Sequence, residues 1–167
     1  MAADYGWVRV SQAPVGALAV TGAPSTLVVG NGYGAFRSTD GGLNWTDVGA
    51  GFDELERSVV ALAADPADPL TVYAGCQGTT VRERPYAVTR KTTDGGATWT
   101  TLPIGGVSIT SLAVSRSNPD VVYESHYGCW LMADQLVCNG GVVRSADAGG
   151  SWAGASGGDA ELGLGRL

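Results

Sequence analysis

The sequence predicts an all-β fold, a β-propeller of four-stranded antiparallel blades with about three blades plus one extra strand. Three observations predict it. An eight-residue box recurs three times, and short β-branched runs flank each copy in the same order. The third is that 26 of the 167 residues are glycine, roughly twice ordinary usage and without collagen's three-residue period. Glycine at that density signals many tight turns.

The box reads Ser/Thr-x-Asp-x-Gly-x-x-Trp. Its copies run from Ser38 through Asp40 and Gly42 to Trp45, from Thr92 through Asp94 and Gly96 to Trp99, and from Ser145 through Asp147 and Gly149 to Trp152. The tryptophans are 54 and 53 residues apart, and four fixed positions at so constant a spacing define a structural repeat. A first run precedes each box: Ala17–Val20, Ala61–Ala64 and Ser111–Val114. Turns rich in Pro, Asp and Asn follow, at 21–24, 65–69 and 115–120, and then the runs Thr26–Val29, Thr71–Ala74 and Val121–Glu124. A third run enters the box through Ala35–Arg37, Val88–Arg90 or Val142–Arg144, and a fourth leaves from its tryptophan. Short β-rich runs punctuated by turn residues at even spacing read as antiparallel strands, here a to d. An isolated four-stranded sheet cannot cover both of its faces, so the units must stack as blades. The blades span about 16–50, 58–103 and 108–156, with an extra d strand at 7–11 and a weakly patterned tail at 157–167. Asp53–Arg57 could form one helical turn at most.

The aspartates suit turn locks, because a carboxylate accepts hydrogen bonds from nearby backbone N–H groups and glycine tolerates the φ a tight corner needs. The tryptophans supply apolar plates for blade packing. These boxes and their strands resemble the Asp-box, or bacterial neuraminidase repeat, across nearly the whole chain. Sialidases, xyloglucan-cleaving glycosidases, sortilin-like receptors and photosystem II assembly factors carry that repeat. The resemblance implies a β-propeller, often extracytoplasmic, and does not choose among those functions. It also argues against a sialidase, whose Phe/Tyr-Arg-Ile-Pro motif precedes the first box; here Phe36-Arg37 runs into Ser38. Arg37, Arg90 and Arg144 are read as matching repeat positions with a structural role.

The net charge of −6 argues against nucleic-acid binding, which needs a basic face. No apolar stretch approaches a membrane span, and Met1–Trp7 has neither the basic nor the apolar region of a signal peptide. No motif asks for a cofactor. A zinc site is not expected, since no Cys-x-x-Cys pair occurs and His126 is the only histidine. A calcium loop would need more oxygen donors than the boxes hold. Three blades fall short of a closed ring, which usually has four to eight. The chain is therefore either a piece of a longer propeller or half of a homodimeric ring.

Antiparallel connectivity puts the a–b turns and boxes at one end, and the b–c and d–a connections at the other. The b–c connections lengthen along the chain, from 30–34 to 75–87 to 125–141, so length, charge and aromatics collect at that end, where binding residues are favoured. Two groups stand out: Arg82, Arg84 and Tyr86, then Glu124, His126, Tyr127, Trp130 and Asp134. Aromatics there suit stacking on a sugar ring. Cys129 and Cys138 lie nine apart, a spacing a hairpin could bring within bridging distance; two reduced thiols are the other reading. Two functions follow: a non-enzymatic module binding a protein or glycan through the b–c and d–a face, or part of a propeller glycoside hydrolase, nearer a xyloglucanase than a sialidase. The second needs a carboxylate pair across a cleft, with Asp53, Glu54, Glu83, Glu124 and Asp134 as candidates.

Overall fold

The computed structural model describes residues 14–22, 26–52, 58–78, 87–106, 108–132 and 135–154. They form strands and no helix. The first sheet holds β1 (Ala17–Val20), β2 (Leu27–Asn31), β3 (Gly34–Ser38) and β4 (Thr46–Asp47). The second holds β5 (Ser58–Ala64), β6 (Val72–Gln77), β7 (Ala87–Thr92) and β8 (Thr100–Gly106), and the third β9 (Ile109–Val114), β10 (Val122–Met132), β11 (Gln135–Ser145) and β12 (Ala153–Gly154). Each sheet is a four-stranded antiparallel meander in chain order. This is the predicted fold class, a partial β-propeller. The extra strand at 7–11, the turn at 53–57 and the tail at 157–167 lie outside the described residues.

The core lies between the sheets. Ala35, Phe52, Val59, Ala74, Cys76 and Val88 fill the space between the first and second, with Val48 and Trp99 packed against them. Ala61, Ala63, Tyr73, Ala87, Leu102, Ile109, Leu112 and Val122 fill the space between the second and third, with Trp152 alongside. Successive side chains of a strand face opposite ways, and in β6 both directions are buried: Tyr73 meets one core while Ala74 and Cys76 meet the other. The middle sheet is thus covered on both faces. The first sheet turns Leu18 and Val20 outward, at 59% and 61% exposure.

The first strand of each following blade packs tightly on the second strand of the one before it. A Cβ on Gly30 would stand 2.3 Å from Cγ1 of Val59, and one on Gly75 would stand 2.7 Å from Cγ2 of Ile109. Both glycines close a β-rich run, after Leu27-Val-Val and Val72-Tyr-Ala. The absent side chain admits the neighbouring blade.

The third b–c connection departs from the loop expected over 125–141. Those residues continue the strands, and β10 and β11 pair without interruption from Val122↔Ser145 to Met132↔Gln135. The stretch contains no proline to interrupt the ladder, and only residues 133 and 134 separate the last pair. A ribbon therefore extends beyond the body of the third sheet, leaving β9 behind after a register shift at Ser125/His126.

The close approach at Gly75 yields a test. Gly75→Ala should destabilise the chain by about 1–3 kcal/mol, the usual cost of overpacking, measured as a fall in the urea midpoint. In an Ile109→Ala background, itself destabilised by the lost core side chain, the further cost of Gly75→Ala should be smaller, because the atom the new Cβ meets is gone.

Candidate functional site

The three boxes share one hydrogen-bond geometry. In the first, Ser38 Oγ donates to Asp40 Oδ1 at 2.8 Å and accepts the Gly42 N–H at 2.8 Å. Asp40 accepts the Asn44 N–H at 2.9 Å and the Asn44 Nδ2 at 2.7 Å. Thr92, Asp94, Gly96 and Thr98 repeat the arrangement, as do Ser145, Asp147, Gly149 and Ser151. Each carboxylate collects three donors from its own turn. Those bonds favour the ionised form, and all three carboxyls are lowered to about 2, led by the bonds from Asn44 for Asp40, from Thr98 for Asp94, and from Ser145 and then Ser151 for Asp147. A depressed folded value means that the stability they contribute is present above the ordinary value of 3.8 and fades as pH falls towards about 2. A carboxylate so engaged is a poor proton donor or nucleophile at neutral pH.

The second and third boxes also clasp their surroundings. Gly95 donates its N–H to Leu70 O at 2.9 Å and Ala148 donates to Asp120 O at 2.8 Å, tying the c–d corner to the a–b turn of the same blade. The boxes and a–b turns thus share one end. Gly96 and Gly149 both have φ of 96°, a conformation costly for residues with a Cβ. A Cβ there would meet Val48 at 2.6 Å or Leu102 at 2.7 Å, the ends of the preceding blade. Trp99 Nε1 donates across the same seam to Val48 O at 2.6 Å, whereas Trp152 Nε1 bonds within its own box to Gly149 O at 3.1 Å.

The equivalence of Arg37 with Arg90 needs correction. Arg37 Nη1 reaches the carbonyl of Gly95 in the next box at 3.5 Å, and it is Lys91 Nζ that reaches the matching carbonyl of Ala148, at 3.0 Å. Counted back from the box hydroxyl, Lys91 stands where Arg37 does, directly before Thr92 and Ser38 respectively. Arg90 lies one place earlier, so strand alternation sends it to the other face, where its guanidinium sits 5.4 Å from the Phe52 ring centroid.

At the opposite end, the structure describes only some of the candidate residues, and brings Glu124 and His126 together. Arg82, Arg84, Tyr86 and Asp134 lie outside the described residues, as do Asp53, Glu54 and Glu83. Trp130 is on β10, opposite Val137. Tyr127 is 62% exposed where β10 leaves the body of the sheet, its N–H bonded to Ser108 O at 2.9 Å. Tyr33, which the sequence reading passed over, is 77% exposed at the b–c turn of the first blade. It stands on a tight turn in which its N–H bonds Asn31 Oδ1 at 2.8 Å. Its position in Gly30-Asn-Gly-Tyr-Gly34, an aromatic among turn formers, was the available signal.

Glu124 is not open to the b–c end. It sits inside β10, paired with Leu112 and Val143, with none of its surface exposed. Its side chain meets the second blade, where the Thr89 hydroxyl donates to Oε2. His126 Nδ1 stands 3.9 Å from Oε1, and neither atom has a hydrogen-bond partner. Burial pushes the Glu124 carboxyl up, with the Thr89 bond pulling the other way. The group is shielded from any large substrate. Among the described residues no cluster of three His, Cys, Asp or Glu side chains could hold a metal ion.

The chain is thus an all-β partial propeller with turn-locked boxes at one end and exposed tyrosines at the other. No family model and no curated protein sequence matches the chain. Among solved structures it is similar to an ancestral GH74 enzyme, at 23% identity and a TM-score of 0.63, covering 87% of this chain and 19% of that one. It is also similar to the GH74 xyloglucanase from Xanthomonas campestris, at 24% identity and a TM-score of 0.64, covering 89% of this chain and 22% of that one. The likeness is one of fold. The chain spans about a fifth of the length of those enzymes.

Two tests follow from the site. Thr92→Val keeps shape but leaves the buried Gly96 N–H without its acceptor, and should cost about 1–3 kcal/mol in urea unfolding. Glu124→Gln keeps an acceptor for Thr89 and removes the ionisable group. A raised folded value means that Glu124's own contribution to stability is most favourable below the ordinary 4.5 and is lost as pH rises through the raised value. The advantage of Glu124→Gln over the native chain should therefore grow between pH 4 and pH 8, and a constant difference would contradict it.

Proposed function

We propose that the chain is a segment of a carbohydrate-binding β-propeller that presents its b–c end to a neutral plant-type glucan such as xyloglucan. Its boxes are read as Asp-boxes that serve the scaffold. The observation that carries the proposal is the pair of exposed tyrosines, Tyr33 and Tyr127, on b–c segments of the first and third blades. Tyrosine rings offer apolar faces with a polar tip, which suits stacking on the axial C–H face of a pyranose. The xyloglucanase among the similar solved structures supports the choice of glycan over protein as ligand.

That the chain is a fragment of a propeller glycoside hydrolase is the second reading, favoured by the GH74 enzymes among its structural neighbours. It needs two carboxyl groups facing one cleft. Among the described residues, Glu124 is enclosed between blades, and Asp40, Asp94 and Asp147 are engaged in corners at the far end. The other candidate carboxylates, Asp53, Glu54, Glu83 and Asp134, lie outside the described residues, so binding through the exposed tyrosines is the reading with a described observation behind it.

Calorimetric titration with xyloglucan oligosaccharides, alongside a reducing-end assay, decides between them. The expected result is saturable binding without new reducing ends, weakened about tenfold, or about 1.4 kcal/mol, by Tyr127→Ala. Release of reducing ends would favour the hydrolase, and absence of any glycan binding would overturn the proposal.

A further inference from the structure

The register of the long ribbon answers the question left open by the cysteine spacing. Cys129 on β10 and Cys138 on β11 are directly opposite one another. Which kind of opposite pair they form follows from the end of the ribbon. Met132 and Gln135 are the last partners, with two residues between them. A pair flanking a two-residue connection can only be one that exchanges both backbone hydrogen bonds, because the alternative pattern would require residues 133 and 134, adjacent in the chain, to bond each other. The two kinds of pair alternate along an antiparallel ladder. Counting back, Leu131↔Leu136 is non-hydrogen-bonded, Trp130↔Val137 hydrogen-bonded, and Cys129↔Cys138 non-hydrogen-bonded. In such pairs the Cα atoms lie about 4.5 Å apart and the Cβ atoms are at their closest, at the short end of the separation a disulfide spans.

We propose that Cys129 and Cys138 form an intramolecular cross-strand disulfide that clamps the β10–β11 ribbon beyond the body of the third sheet. The step joins the two sulfurs and releases two protons and two electrons to a disulfide-bearing oxidant, which is reduced to two thiols. The clamp lies outside the sheet that β9 supports, between the last β9 contact at His126 and the ribbon tip. There, among the described residues, the two strands have only each other as ladder partners, and a two-stranded ribbon is marginal on its own. The inference does not depend on the ligand proposed above.

Both cysteines fall in one tryptic peptide, Ser117–Arg144. The full chain is equilibrated with glutathione disulfide and glutathione, denatured, treated with iodoacetamide without reductant, and digested. The expected peptide is unalkylated and lighter by two hydrogens than the dithiol form, and takes two alkyl groups only after reduction. A peptide carrying two alkyl groups before reduction, or two glutathionyl groups, would overturn the proposal. Moving one thiol across the ribbon with Val137→Cys in a Cys138→Ser chain should abolish the lighter form, because neighbouring strand positions face opposite sides. Its persistence would show that proximity at the tip, and not the register, drives the bond.

Discussion

The hydroxyl at the head of each box is the contact on which the architecture rests. Ser38, Thr92 and Ser145 each accept the N–H of the glycine four residues on and donate to the aspartate two residues on. All three residues are almost wholly buried, so the glycine N–H would otherwise be stranded away from water, at a cost comparable to a lost hydrogen bond. Closing the corner fixes the angle at which strand d departs. It also sets Gly96 and Gly149 flush against the preceding blade, where Val48 and Leu102 leave no room for a Cβ. One local network thus sets both the hairpin and the spacing between blades.

Electrostatics reinforce the same seam. The box carbonyls at Gly95 and Ala148 receive Arg37 and Lys91 from the blade before, and the Tyr73 hydroxyl also donates to Ala148 O, at 3.2 Å. The tyrosine hydroxyl is pushed up to about 12, first by burial and then by Asp65 and Asp120, so it remains a donor across the physiological range. At this seam cation, phenol and indole all aim at backbone acceptors.

Much of this was legible in the sequence because a repeat states its own register. The Asp40, Asp94 and Asp147 boxes, the four-strand order and the stacked sheets follow from period and turn chemistry. The misreadings have physical causes. Arg90 closes the run Val88–Arg90 as Arg37 closes Ala35–Arg37, which makes the two look equivalent, but counted from the box hydroxyl the match is Lys91. Glu124, at the end of a strand run, looked open to a ligand because charged residues are seldom wholly buried, yet strand alternation places it on the same face as Val122, inside the seam. The ribbon over 125–141 was hidden because its glycines and polar residues mimic a loop, while the cross-strand pairing that orders it is not a local property. Tyr33 was missed because an aromatic within a short turn carries no periodic signature.

Native-state hydrogen exchange at Gly42, Gly96 and Gly149 tests the central role of the box hydroxyls most directly. If those bonds hold the corners and the corners hold the blades, the three amides exchange slowly, at rates close to those of the buried strands β6 and β7, although they lie in turns. Exchange at the rates of ordinary exposed turn amides such as Gly32 would contradict the account.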